Sequence, residues 1–479
     1  MTRERVDLLI GHAYVLTVDA EDSVHPDGAI AIRGRDIVAV GADADLRAAY
    51  APAREIDAGG APAHPGLVET HVHPAYHLYR GVFADDVPED ETFPGFVRAY
   101  LDTVTEEEEF LAIQLAAIEM VRNGTTCFVE AGSVFAPDAA ARAATGVGIR
   151  AVLADPFMMD RPDGFIWEMN AATAPASAPP PSREPQNLEQ AIAGLGTQLG
   201  RNADPDALIT GHIALRGLGT ASPDLIAHAK GLAAEHGAIL NMHHSYEPAD
   251  HEGMTRMFGM DPVLGLERLG VLDEGLLLSH ANVLSDAEFA AMAAAGTGIA
   301  WAPAASMTWG HSVVLRSRHA ELWRAGGSVG LGSDSSNWSG VFDIFRQAQL
   351  AVLLSRTIAG DRTALTAADA LRIATAGGAR AVGLGDRIGS LEPGKRADVV
   401  IHAPGRPETV PALDPLRNLI YSAGARTVRS VVIDGRVVLD DGRLTGVDEA
   451  TAFAAVEEAA RTMVARTGYR VRRDRPHRV

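Results

Sequence analysis

The residues able to do chemistry begin at His71-Val72-His73, a His-x-His pair on a short β-branched run entered through Pro65-Gly66. In a strand, residues i and i+2 share a face, so the two imidazoles project together, about 6 to 7 Å apart, and can close on one ion. With 17 histidines in 479 residues, such a pair also arises by chance. Its weight comes from residues further along the chain: His244, Glu247, His280 and Asp334, each at the end of an expected strand. Neutral imidazoles plus one carboxylate suit Zn²⁺, with one position left for water as catalytic zinc sites require. The same donors accept Fe²⁺, Mn²⁺ or Co²⁺, because geometry alone does not select the ion.

Bringing such distant residues together needs a scaffold with a common rim. The middle of the chain alternates short apolar strands (125–129, 150–153, 208–215, 238–244, 275–280, 298–301 and 328–334) with helical stretches such as 107–122, 136–145, 223–236 and 286–295. Counting the strand that ends at His71 and His73, this makes eight. The order predicts an α/β fold, a (β/α)8 TIM-like barrel, whose functional side chains sit at the C-terminal ends of its strands. His71 and His73 would end the first strand, His244 the fifth, His280 the sixth and Asp334 the eighth. His243 and His244 are adjacent, so only one of them can face the barrel mouth.

The flanks read differently. Residues 1–64 are short β-branched strands with Gly and Asp turns, too few to enclose a core, and 386–446 holds a matching block around Val399–Ile401 and Val428–Val438. Both ends are expected to pair into one small β-sandwich, with the barrel, 65–385, inserted between them. Residues 447–479 form a C-terminal helix and tail, with Phe453, Val456, Ala459, Met463 and Val464 on one face, suited to covering the core or a second subunit. The Pro- and Ala-rich stretch 171–187 predicts a long rim loop or lid.

Composition narrows the class. A net charge of −20 argues against nucleic acid and anionic membranes, leaving a small-molecule substrate as the expected partner. One cysteine, Cys127, excludes an intramolecular disulfide and a thiolate metal cluster. The start of the chain lacks an apolar signal-peptide core, and no run of 18 apolar residues occurs, so the cytoplasm is the expected compartment. A homo-oligomer, taken as a homodimer, is the expected assembly.

Taken together, the motifs resemble the amidohydrolase superfamily, in its deaminase and chlorohydrolase branch. The resemblance spans nearly the whole chain: Pro65-Gly66-x4-His71-x-His73, Arg80-Gly81, Gly124-Thr125-Thr126, His244-x-x-Glu247, Ser279-His280, Leu331-Gly332-Ser333-Asp334, and the tail Gly389-Ser390-Leu391-Glu392-Pro393-Gly394-Lys395-Arg396-Ala397-Asp398. The run His244-Ser245-Tyr246-Glu247-Pro248, then Gly259-Met260, and Trp309-Gly310 look most like the s-triazine hydrolases; cytosine and guanine deaminases are related. The resemblance implies one divalent metal per chain, Zn²⁺ first, held by His71, His73, His244 and Asp334. It makes Glu247 the proton shuttle and has His280, with Asp334, act on water or on the leaving-group side of the substrate. Metal binding lowers the pKa of water from ~16 towards ~7, and a nearby carboxylate then passes a proton to a poor leaving group. The family spacing to Glu247 selects His244 over His243.

Departures matter too. Glu69 stands where the family usually has Asn, Ser306-Met307 replaces Ser-Asn, and no lysine ends the fourth strand, which argues against a two-metal site. Tyr76, His77, Arg216 and Trp309 are candidate substrate-binding residues, Arg216 facing an acidic or carbonyl group. Glu130 is either a pocket group or a buried hydrogen-bonding carboxylate, and Trp301 either stacks on substrate or packs. The expected activity is hydrolytic deamination of a small N-heterocycle. The alternatives are dechlorination or dealkylamination of a triazine-like ring, hydrolysis of an amide or urea C–N bond, and a catalytically dead binding protein.

Overall fold

In the computed structural model, which describes residues 3–83, 99–161, 183–308 and 310–468, the chain builds two sheets. Five strands come from the start of the chain: β1 (Glu4–Leu16), β2 (Val24–Arg33), β3 (Asp36–Ala42), β4 (Tyr50–Asp57) and β5 (Pro62–Pro65). Nine short strands come next: β6 (Leu67–Val72), β7 (Thr125–Glu130), β8 (Arg150–Leu153), β9 (Ile209–Gly211), β10 (Ile213–Leu215), β11 (Leu240–His244), β12 (Leu276–His280), β13 (Gly298–Trp301) and β14 (Val329–Leu331). Four more, β15 (Val399–His402), β16 (Val428–Ile433), β17 (Arg436–Asp440) and β18 (Arg443–Leu444), close the series.

The nine middle strands run parallel in the order β10-β11-β12-β13-β14-β6-β7-β8-β9. β9 and β10 are two halves of one stave, interrupted at His212, whose ring reaches the carbonyl of Glu130 at 2.7 Å. One half pairs with β8 and the other with β11, so the sheet returns on itself as a nearly closed barrel. Eight staves therefore account for nine strands. The strands carry runs such as Leu276-Leu277-Leu278, buried on both sides, as parallel strands covered by helices must be. The helices between them begin on local caps: Thr105 and Ser285 each form a reciprocal capping box, with Glu108 and Glu288.

The two chain ends share the second sheet. β5 meets β15 antiparallel, His64 opposite Val400, and the path continues β18-β17-β16-β15-β5-β1-β2-β3 with β4 beside β1. The tail motif explains part of this join. Asp398 accepts from the buried Arg150 of barrel strand β8 at 3.3 Å, and Asp434 takes a second contact from the same guanidinium at 3.2 Å. The C-terminal helix, Glu449–Thr467, lies on the helix Glu106–Arg122 and buries Ala452, Val456 and Met463, while Phe453 turns outward. Residues 171–182 of the expected rim loop lie outside the described residues. No helix among the described residues is long and apolar enough to cross a membrane.

Candidate metal centre

Three imidazoles and one carboxylate meet at the C-terminal rim. β6 supplies His71 and His73, whose rings stand edge to face at 5.0 Å. Asp334, three residues beyond β14, is locked beside them by backbone bonds: its N–H donates to the His71 carbonyl at 2.9 Å, and the N–H of His73 donates to its carbonyl at 3.2 Å. Its Oδ1 then lies 3.4 Å from His73 Nε2 and 3.8 Å from His71 Nε2. The third imidazole is His243. Its Nε2 lies 3.2 Å from that of His73, and the two rings stack at 5.2 Å.

This corrects the expectation that His244 joins the cluster. Along β11, Asn241 and His243 share the inner face, where Asn241 meets Ser279 of β12, while His244 points to the other face. Fully buried there, its ring is pushed down to about 4 by desolvation, with Glu288 and His251 as its charged neighbours. Glu247 consequently lies four residues after the metal-facing histidine rather than three. Ser245, with a left-handed φ of 45°, lies in that longer connection.

The tautomer of His71 is set by its neighbours. Ser279 Oγ donates its one proton to Asn241 Oδ1 at 3.1 Å, so the 2.9 Å contact with His71 Nδ1 is a bond donated by the ring. The lone pair of His71 therefore sits on Nε2, buried and without a hydrogen-bond partner. Burial, and then the neighbouring imidazoles, drive His71, His73 and His280 well below the ordinary histidine range, so all three are neutral donors. Burial likewise pushes Asp334 up to about 7. The donor set fits a divalent cation. Two nitrogens each ~2.0–2.1 Å from one tetrahedral zinc stand ~3.3 Å apart, close to the His73–His243 separation. Holding two Nε2 atoms face to face without a shared cation or proton would be repulsive.

The remaining candidates divide. His280 projects into the site with a φ of 73°, its Nε2 3.8 Å from Asp334 Oδ2 and its ring 5.0 Å from His71. Tyr76 stacks on His73 at 5.4 Å, its hydroxyl pushed above the usual phenol range by burial. Glu247 is half-buried just before the helix Pro248–Phe258. Its loop is held on two sides: Tyr246 N–H donates to Asp250 at 2.8 Å, and Asn282 Nδ2 donates to the Tyr246 carbonyl at 2.9 Å.

One substrate-binding expectation is corrected. His77 is turned away by the 3-10 helix Pro74–Tyr79, stacks on Phe342 and lies 3.2 Å from Glu119. Arg216 borders the site, where its Nη1 donates to the buried Glu184 at 2.9 Å. Trp309 lies outside the described residues. Glu130 is a structural carboxylate, accepting from Gly132 N–H, Ser133 N–H and Ser133 Oγ. Glu69 ties the barrel seam: its Oε1 accepts the Ser333 N–H at 2.7 Å, and burial pushes the group up to about 8.

Other residues at the site carry no short-range sequence signal. Tyr246 faces His280 at 4.6 Å and His311 at 5.1 Å, so His311 joins the rim from the segment after β13. Ser279 and Asn241 set a tautomer across two strands, a relation only the sheet register reveals.

Comparison with known proteins agrees with this architecture. The model of the amidohydrolase family matches residues 63–438. The chain is 30% identical over 463 residues to 5-methylthioadenosine/S-adenosylhomocysteine deaminase of Syntrophobacter fumaroxidans, covering 97% of this chain and 100% of that protein. It is 29% identical over 464 residues to 5'-deoxyadenosine deaminase of Methanosarcina mazei, covering 96% and 99%. A crystal structure of an adenosine deaminase from Xanthomonas campestris with bound zinc superposes with a TM-score of 0.87 at 30% identity, over 97% and 100% of the two chains. The atrazine chlorohydrolase of Arthrobacter aurescens, at 24% identity and a TM-score of 0.80 over 95% and 100%, shares the fold.

Proposed function

The chain belongs to the amidohydrolase family, and on that premise we propose that it is a metal-dependent hydrolase that deaminates an adenosine-type N-heterocycle. The observation that carries the reading is a pair of donor triads that share His71, one with His73 and His243 and one with His280 and Asp334, the Asp334 Oδ1 lying 3.4 Å from His73 Nε2 and one lone pair fixed on His71 Nε2. Of these, His71, His73, His243 and Asp334 would hold the ion, Zn²⁺ first, one per chain. A divalent cation there supplies acidified water and stabilises negative charge, the chemistry that hydrolysis of a C–N bond needs.

The protein's own groups supply the rest. Glu247, at the head of its helix, carries the proton from the attacking water to the departing amine, a role a half-buried carboxylate in a clamped loop can fill. His280, neutral and held near Asp334, hydrogen-bonds the attacking oxygen or the ring edge and keeps it in line. Tyr76 on one side and Tyr246 with His311 on the other offer aromatic faces for a planar ring.

The test is a screen of adenosine, 5'-deoxyadenosine, 5'-methylthioadenosine and S-adenosylhomocysteine, with aminated and chlorinated triazines and ureas, read by ammonia and chloride release. Ammonia from the adenosine-type compounds, with kcat/KM at least ~10⁴ M⁻¹s⁻¹ for one of them, is expected. Chloride release from a triazine without ammonia from any purine would contradict the proposal.

A further inference from the structure

His280 and Ala281 are successive non-glycine residues with left-handed backbones, φ 73° and 47°. Side chains with a Cβ seldom adopt this conformation, and it persists only where surrounding bonds over-determine it. After His280 the chain is held by Ala281 N–H donating to the His244 carbonyl at 2.8 Å and Asn282 N–H donating to that of Ser245 at 3.0 Å. The His280 carbonyl has a different partner: it accepts from Nε2 of His319, 39 residues on, at 2.6 Å. A carbonyl only accepts, so the proton of His319 is on Nε2. Its Nδ1 is buried without a hydrogen-bond partner. The bond to His280 is thus the polar contact that this ring makes.

What holds His319 is a plate. The ring opens the helix His319–Arg324, is 1% exposed, and lies nearly parallel on Trp301 of β13, centroids 4.7 Å apart and planes 10° apart. Trp301 is itself 1% exposed, so it packs under the site rather than against substrate. Strand β13 fixes the plane of His319, and His319 fixes the peptide of His280.

We infer that His319, seated on Trp301, is a positioning residue that holds the left-handed backbone of His280 and so aims that imidazole at the reaction centre. It touches no reacting atom. Its activity readout rests on the hydrolase reading above, whereas its structural readout does not.

Two variants separate the donor from the plate. His319→Phe keeps a ring for Trp301 and removes the N–H; His319→Gln gives up the stack and keeps an N–H able to reach the carbonyl. Each is compared with wild type for zinc content, amide hydrogen exchange at Ala281 and Asn282, and kcat and KM on the best substrate found. The Phe variant is expected to bind zinc at the wild-type ratio, exchange those amides at least ~10-fold faster, and lose roughly 10- to 100-fold in kcat with KM within ~3-fold, as misplacement of a positioned group does. The Gln variant is expected to recover most of the amide protection and turnover, and that result stands even if the Phe variant fails to fold. Wild-type exchange and kcat in the Phe variant, or amide protection lost equally in both, would overturn the inference. If wild type releases no ammonia, the deaminase reading fails while the exchange comparison still decides the role of His319.

Discussion

At the adjacent histidines of β11, strand alternation decides which ring can do chemistry. His243 shares its face with Asn241 and meets His73, whereas His244 is sealed behind the strand with neither nitrogen bonded. His243→Ala should abolish stoichiometric zinc, while His244→Ala should retain it and lower stability instead, by roughly 2–4 kcal/mol for a buried ring left as a cavity. Metal analysis and urea unfolding of the two proteins separate these effects, and zinc lost only from the His244 variant would restore the motif-based assignment. Glu247→Gln should keep the ion and lose a factor on the order of 10²–10⁴ in kcat, because amide replaces the proton carrier without changing shape. Full turnover in that variant would remove Glu247 from the mechanism. The choice between the histidines was not legible from spacing, since a fixed gap to Glu247 does not say which of two adjacent rings the strand turns inward.

Among the elements, the barrel strands announced themselves because each is a short apolar run between capped helices, and both chain ends because their β-branched blocks match. What stayed hidden depends on partners far away in sequence. The pairing of Arg216 with Glu184, 32 residues earlier, is one such relation. His77 looks like a pocket residue until the 3-10 helix rotates it onto Glu119 and Phe342. The tail motif has a physical reason in the seam between the sheets, where Arg150 is buried between Asp398 and Asp434. Arg150→Met should cost about 3–5 kcal/mol in urea unfolding, because it leaves the buried Asp398 without its cation, whereas Asp434 keeps Arg35 and Arg396. The exposed Arg461, paired with Glu457 and Glu458 of its own helix, should leave the unfolding midpoint where it is when changed to Ala. Equal effects of the two substitutions would mean that the seam does not hold the sheets together.

For the whole molecule, the architecture explains why residues spread from 71 to 334 act at one point: eight staves end on one rim, and the second sheet, tied by Arg150, lies at the opposite ends of the strands. His71, His73 and His243, from two staves, and Asp334, from the segment after a third, gather there; burial alone would leave the Asp334 carboxyl only partly ionised near neutral pH, and a cation would hold it ionised. A bound ion should therefore also stabilise the fold, by RT ln(1 + [M]/Kd), so the melting temperature should rise with zinc. The most direct measurement is a titration of the metal-free protein with Zn²⁺, monitoring ammonia release from the preferred adenosine-type substrate. Activity should be absent at the start, rise linearly and break at one ion per chain. Full turnover in protein shown to be free of metal, or a rise that breaks only at two ions, would contradict the account.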